Sequence, residues 1–190
     1  MFILYAVIIG IIIGYAAKGR LRNIALRPLK WKYVPISALI IQLVIFSELP
    51  FVKNLPNDII TGLHFVSYVM LFIFMARNIK NFGVAIIGTG IFLNFLVISL
   101  NGGYMPTVPE NLEKTSVGAS AHLISQGEAV NNSIMMSEDT LLPWLGDIFV
   151  MPSWMPFSNV FSIGDIIIAI GICVFIVANM QPLKGKEQNA

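Results

Sequence analysis

Five apolar runs, at residues 2–17, 34–51, 59–76, 82–100 and 161–178, restrict the environments open to this chain. Each approaches or reaches the roughly 17–25 residues that carry a helix across a hydrocarbon core. A strand with open edges leaves its backbone unsatisfied in lipid, so each run is expected to be helical. Only 12% of the 190 residues are charged, about half the share of an ordinary soluble domain, so most of the surface is expected to face lipid. The sequence therefore predicts an all-α integral membrane protein, a single membrane domain over 1–190 with five transmembrane helices. Cys173 is the one cysteine, which excludes an internal disulfide.

Charge placement gives these helices a direction. Lys18, Arg20, Arg22, Arg27, Lys30 and Lys32 fill the first connection, Arg77 and Lys80 the third, and Lys184 and Lys186 the tail. Ten of the 12 basic residues thus fall on one side, leaving Lys53 and Lys114 on the other. Basic residues favour the cytoplasm, so the expectation is N-terminus outside and C-terminus inside. The first run has no basic segment before it and Lys18 directly after it, so it reads as an N-out anchor rather than a cleaved signal. Gly10 and Gly14 within it have the small-xxx-small spacing of close helix packing. The basic first connection reads as an orientation signal in contact with anionic membrane lipids, and not as a nucleic-acid surface.

The fourth and fifth helices are joined by a long outer loop, 101–160. Residues 107–140 are polar and without periodicity. Residues 141–150 are apolar but too short to span, and with Trp144 and Trp154 they read as an interfacial segment.

Ionisable groups inside a membrane need a partner or a purpose. Glu48, His64 and Asp165 each lie about 5–8 Å from an outer helix end at the helical rise per residue, and Asp147 reaches the same layer from the loop. Glu48 and His64 either assist chemistry or satisfy one another. Asp165 is either reactive or a partner for its helix dipole. Gln42 and Asn94 read as bonds between helices, and His122 as solvated. The turn at Asn101, Gly102 and Gly103 either offers backbone amides to a substrate carbonyl or simply reverses the chain.

Two close carboxylates share a proton. One then activates water while the other, protonated, polarises a peptide carbonyl. Asp147 and Asp165 are the candidate catalytic pair, with Glu48, His64, Asn101, Gly102 and Gly103 as supporting residues. The pair requires no metal and no cofactor, and two histidines are too few for a metal site.

The stretch Phe161-Ser162-Ile163-Gly164-Asp165 resembles the last-helix motif of lipoprotein signal peptidase (signal peptidase II), with Ser162 and Gly164 where that motif has Asn and Ala. Asp147, 18 residues upstream in Leu145-Gly146-Asp147-Ile148-Phe149, matches the position of that enzyme's other aspartate. The resemblance implies a four-helix aspartyl peptidase core with its site at the outer face. A second resemblance runs through Leu63-His64, Ser67-Tyr68, 101–106, Leu145-Gly146-Asp147 and Ser162-Ile163-Gly164-Asp165. These elements look like an uncharacterised bacterial membrane family, domain of unknown function 5317, which implies a multi-pass protein of the bacterial plasma membrane.

Two functions stay open. One is a membrane aspartyl peptidase acting on a membrane-anchored peptide or protein. The other is a non-catalytic accessory subunit or a lipid or small-ligand binder. A transporter fits less well, because no repeat is visible and the polar groups gather at one face rather than the midplane.

Overall fold

A computed structural model describes residues 2–27, 29–47, 49–115 and 132–182. Among the described residues eight helices appear in chain order: α1 (Phe2–Ala16), α2 (Leu21–Ala25), α3 (Val34–Ile45), α4 (Pro50–Lys53), α5 (Asn57–Asn78), α6 (Phe82–Leu100), α7 (Pro109–Glu113) and α8 (Ile163–Met180). α5, α6 and α8, of 22, 19 and 18 residues, are long and apolar enough to cross a membrane. α1 and α3 are apolar but shorter, at 15 and 12 residues. Large apolar side chains such as Ile8, Ile12, Leu39, Leu43, Val66 and Val69 stand exposed on these helices. Apolar surface on that scale belongs against lipid.

α6 and α8 form the most extensive helix pair, and α1 covers the other side of α8. Small residues bring the backbones together. A Cβ at Gly90 would meet the Gly164 carbonyl oxygen at 2.5 Å, and one at Gly83 would meet the Phe175 Cα at 2.5 Å. The spacing first noted in α1 works in the same way: Gly10 faces Cys173 and Ile176, and Gly14 faces Met180. α3 packs on α5, while α5 and α6 touch more sparingly.

One expected run is broken. The helix predicted over 34–51 stops at Ile45, and a separate turn, α4, starts at Pro50. Proline disfavours helical backbone in the residue before it. Leu49 is accordingly extended, with φ −64° and ψ 135°.

The bundle has two chemically distinct ends. At one, the connection after α1 meets the end of α8, where Arg20 N–H and Asn23 Nδ2 both donate to the Met180 carbonyl. Lys30 and Asn78 join the same end through two reciprocal bonds of 2.9 Å. We call this the basic end. At the other, residues 105–115 and 132–161 form a small cap. Strand β1 (Met105–Thr107) pairs in parallel with β2 (Ser133–Met135). A 3-10 turn, Pro143–Leu145, leads to β3 (Phe149–Val150), which pairs antiparallel with β4 (Val160–Phe161). Phe2 of α1 stacks on Phe161 with ring centroids 4.3 Å apart, so α1 begins at this end.

Candidate functional site

Asp147 lies just before β3 and Asp165 in the first turn of α8, just after β4, close enough for their charges to interact. The β3–β4 hairpin joins the two segments by pairing Phe149 with Phe161. Asp147 is also fastened to β1: its N–H donates to the Pro106 carbonyl at 2.8 Å, beside a bridge to Thr107. The preceding Gly146 is needed because a Cβ there would meet the Pro106 oxygen at 2.5 Å. Backbone pairing to β1 thus holds a buried polar side chain beside the core of Tyr68, Val97, Ile98, Met105 and Leu145.

The two carboxylates have opposite surroundings. Asp165 is half-buried and well supplied with donors. One oxygen accepts from the Ser162 N–H at 3.1 Å and the other from Asn94 Nδ2 at 3.0 Å. Ser162 Oγ accepts from the Asp165 N–H and donates to Asn94 Oδ1, closing a ring of three side chains. The Ser162–Asp165 half of that ring is a capping box, which satisfies two amide groups at the start of α8. Gly164 makes room for it, since a Cβ there would land on Asn94 Oδ1.

Asp147 is 8% exposed. Among the described residues no donor reaches its carboxylate, and no cation forms an ion pair with it. Burial, and after it the charge of Asp165, push the Asp147 carboxyl up to about 8. A charged form with no compensating donor is costly in so dry a place, so the proton stays on. The fields of both aspartates also reach Tyr68 on α5. The arrangement supplies one acid that holds a proton beside one that is stabilised by donors.

The supporting residues divide. His64 is buried at 3% exposure, and its Nδ1 lies 3.1 Å from the Gly103 carbonyl, so Nδ1 carries a hydrogen. Its ring also contacts those of Phe46 and Tyr68. Gly103 has φ +92°, a conformation natural to glycine, and sits against Thr61. The amides of Asn101, Gly103 and Tyr104 donate within the turn itself, to Ile98 and Asn101 carbonyls, so these three do not face a substrate. Asn101 is a clamp: its Nδ2 donates to the Leu141 carbonyl at 2.9 Å and its Oδ1 accepts from the Leu141 N–H at 3.0 Å. Gly102, at φ +72°, shapes that turn. Glu48 and His122 lie outside the described residues.

Asn94 and Ser162 are the site residues that sequence reasoning did not assign to it. Ser-x-x-Asp ahead of an apolar run is a legible capping signal. Nothing local marks Asn94 as the partner of a residue 71 positions away. Gln42, expected to bond between helices, donates to Ser67 Oγ at 2.8 Å. Among the described residues no three His, Cys, Asp or Glu side chains gather as a metal site.

No curated protein and no solved structure matches the chain, and neither comparison supports the resemblance to lipoprotein signal peptidase. The model of a family of unknown function, DUF5317, matches residues 27–177, most of the sequence, and the chain belongs to that family.

Proposed function

We propose that this protein crosses the bacterial plasma membrane five times, N-terminus outside and C-terminus in the cytoplasm, and that Asp147 and Asp165 form a proton-sharing pair at its outer face. The observation that carries this reading is Asp147: buried, without a donor among the described residues, and within the field of Asp165. The gathering of basic connections at the opposite end supports the orientation. α1 and α3 would complete their crossings with flanking residues.

The reaction that such a pair suits is hydrolysis of a peptide bond in a membrane-anchored substrate. Ionised Asp165 takes a proton from water as the water oxygen attacks the carbonyl carbon. Asp147 gives its proton to the carbonyl oxygen. On collapse of the tetrahedral intermediate the C–N bond breaks, the amine leaves with the proton taken up by Asp165, and Asp147 recovers its own. General acid–base assistance of this kind contributes about 10²–10⁴-fold.

The test uses purified protein in liposomes with a set of lipid-anchored peptides, read by mass spectrometry. Cleavage should occur and fall at least about hundredfold in both Asp147→Asn and Asp165→Asn. Undiminished cleavage in both variants, or none by the native protein, ends the peptidase reading.

A second reading is favoured by one observation: both Asp165 oxygens already accept hydrogen bonds that tie α8 to α6. In that case the protein is a non-catalytic membrane subunit or a lipid or small-ligand binder, and Asp165 is a structural cap. Asp147→Asn would then leave biological function intact in cells, whereas the peptidase reading requires its loss.

A further inference from the structure

The basic end contains a cleft of about 430 Å³ whose lining includes Arg27, Lys30, Arg77, Lys80, Asn81 and Asn179. Four cations share this cavity, and among the described residues no acidic side chain lines it. Among the described residues none of the four forms an ion pair. Three of them are anchored. Asn78 binds both the amide and the carbonyl of Lys30, at 2.9 Å each. The Arg77 guanidinium lies over the Trp31 ring, 4.7 Å from its centroid. Arg27 donates through Nη2 to the Gln181 carbonyl at 3.0 Å, while its Nε is buried with no hydrogen-bond partner among the described residues. Gathering like charges is unfavourable unless an anion offsets the repulsion. A buried, unused guanidinium donor adds a second unmet demand.

The cleft does not stand alone. Ala76 and Ile79 of its wall also line a second cavity of about 380 Å³ between α5 and α6, with Phe72, Met75, Gly88 and Phe92. That groove is almost entirely apolar and exists where α5 and α6 touch sparingly. A cationic cavity that shares wall residues with an apolar groove along a helix pair matches an amphiphile with an anionic head. We propose that the basic end binds an anionic phospholipid, its phosphate among Arg27, Lys30, Arg77 and Lys80 and one acyl chain along the α5–α6 groove. Basic pockets between membrane helices are suited to such headgroups. The groove separates this ligand from a soluble phosphate, which would use the cations and ignore the apolar wall.

The experiment compares binding of phosphatidylglycerol, phosphatidylcholine and glycerol phosphate to the full chain in neutral detergent, by native mass spectrometry and thermal shift. Phosphatidylglycerol should be retained in preference to phosphatidylcholine. Lys30→Gln/Lys80→Gln should weaken it roughly thirtyfold. Lys18→Gln/Arg22→Gln, which removes equal charge outside the cleft, should leave it unchanged. Gly88→Leu should weaken phosphatidylglycerol by filling the groove without altering any response to glycerol phosphate. Each variant's melting without lipid reports whether it is folded. Equal retention of both lipids, or equal loss in the two charge variants, overturns the proposal. Binding of glycerol phosphate as strong as that of phosphatidylglycerol, with Gly88→Leu indifferent, also overturns it by showing a soluble-phosphate site.

Discussion

The two ends of the helical bundle solve opposite electrostatic problems. At one end two carboxylates lie within each other's field, and among the described residues no cation forms an ion pair with either. At the other, four cations line one cleft with no acid in its wall among the described residues. Asparagine is the tie at both: Asn94 joins α6 to α8 beside Asp165, and Asn78 joins α5 to the connection before α3. The difference lies in water. Asp147 is buried and answers its situation by keeping a proton. Lys30 and Lys80 are exposed, which suits that end to the external anion proposed above. Uncompensated charge therefore reads as a proton-binding site where it is dry and as a ligand site where it is wet.

The largest way to break the carboxylate end is steric. Gly164→Val would push a side chain onto Asn94 and the Gly90 carbonyl. Overpacking against backbone costs about 1–3 kcal/mol or more, and here it also opens the Asn94–Ser162–Asp165 ring. The expected outcome is loss of monodisperse protein on detergent extraction, against near-normal yield for a conservative change at the unobstructed Gly62. Normal yield and melting of Gly164→Val would mean that α6 and α8 do not approach as described.

A second break is a matter of pH. The Asp147 carboxyl loses its proton at about 8 in the folded protein and at about 4 in an unfolded chain. Between those values the folded state holds more protons. Stability is therefore greatest below about 4, declines as the pH rises through the window, and levels off above about 8, with a slope of up to about 1.4 kcal/mol per pH unit. Asp147→Asn removes the dependence, so it should melt above the native protein near about pH 9 and not near about pH 4. Thermal melts across that range decide the point, and a flat native profile contradicts it.

A smaller effect follows from Ser162→Ala, which deletes the cap and one side of the ring. About 1 kcal/mol of stability should go, the ordinary worth of an N-cap. Asp165→Asn should cost a similar amount and also lower the proton affinity of Asp147 by removing a neighbouring charge. Infrared detection of the protonated carboxyl separates the two: its midpoint should move in Asp165→Asn and much less in Ser162→Ala.

The smallest effect sharpens the contrast from the other side. Lys30→Gln/Lys80→Gln in lipid-free detergent should shift stability by no more than about 0.5 kcal/mol, as for solvated side chains. A large destabilisation by this pair would make the basic end a structural core rather than an open cleft.

Several of these features were legible before any coordinates. The apolar runs mark α5, α6 and α8 closely, because a long apolar stretch declares itself by composition. The basic residues mark their own end in the same way. Asp147 and Asp165 stood out because charge is rare around them. The break at Pro50 was locally encoded yet hidden inside an apolar run that continues to Phe51. The β3–β4 hairpin was less visible still: its strands are two residues each, too short for an alternating pattern to register.

By itself the sequence determined that this is a chain of apolar helices with most of its basic residues gathered in a few connections, since both properties reside in single segments. Only the tertiary structure decided that Asp165 is surrounded by donors while Asp147 has none in reach among the described residues. Hydrogen bonding and burial depend on what other helices bring to the same place, and the partners of these two residues come from α6, the β1 strand and the turn before α8.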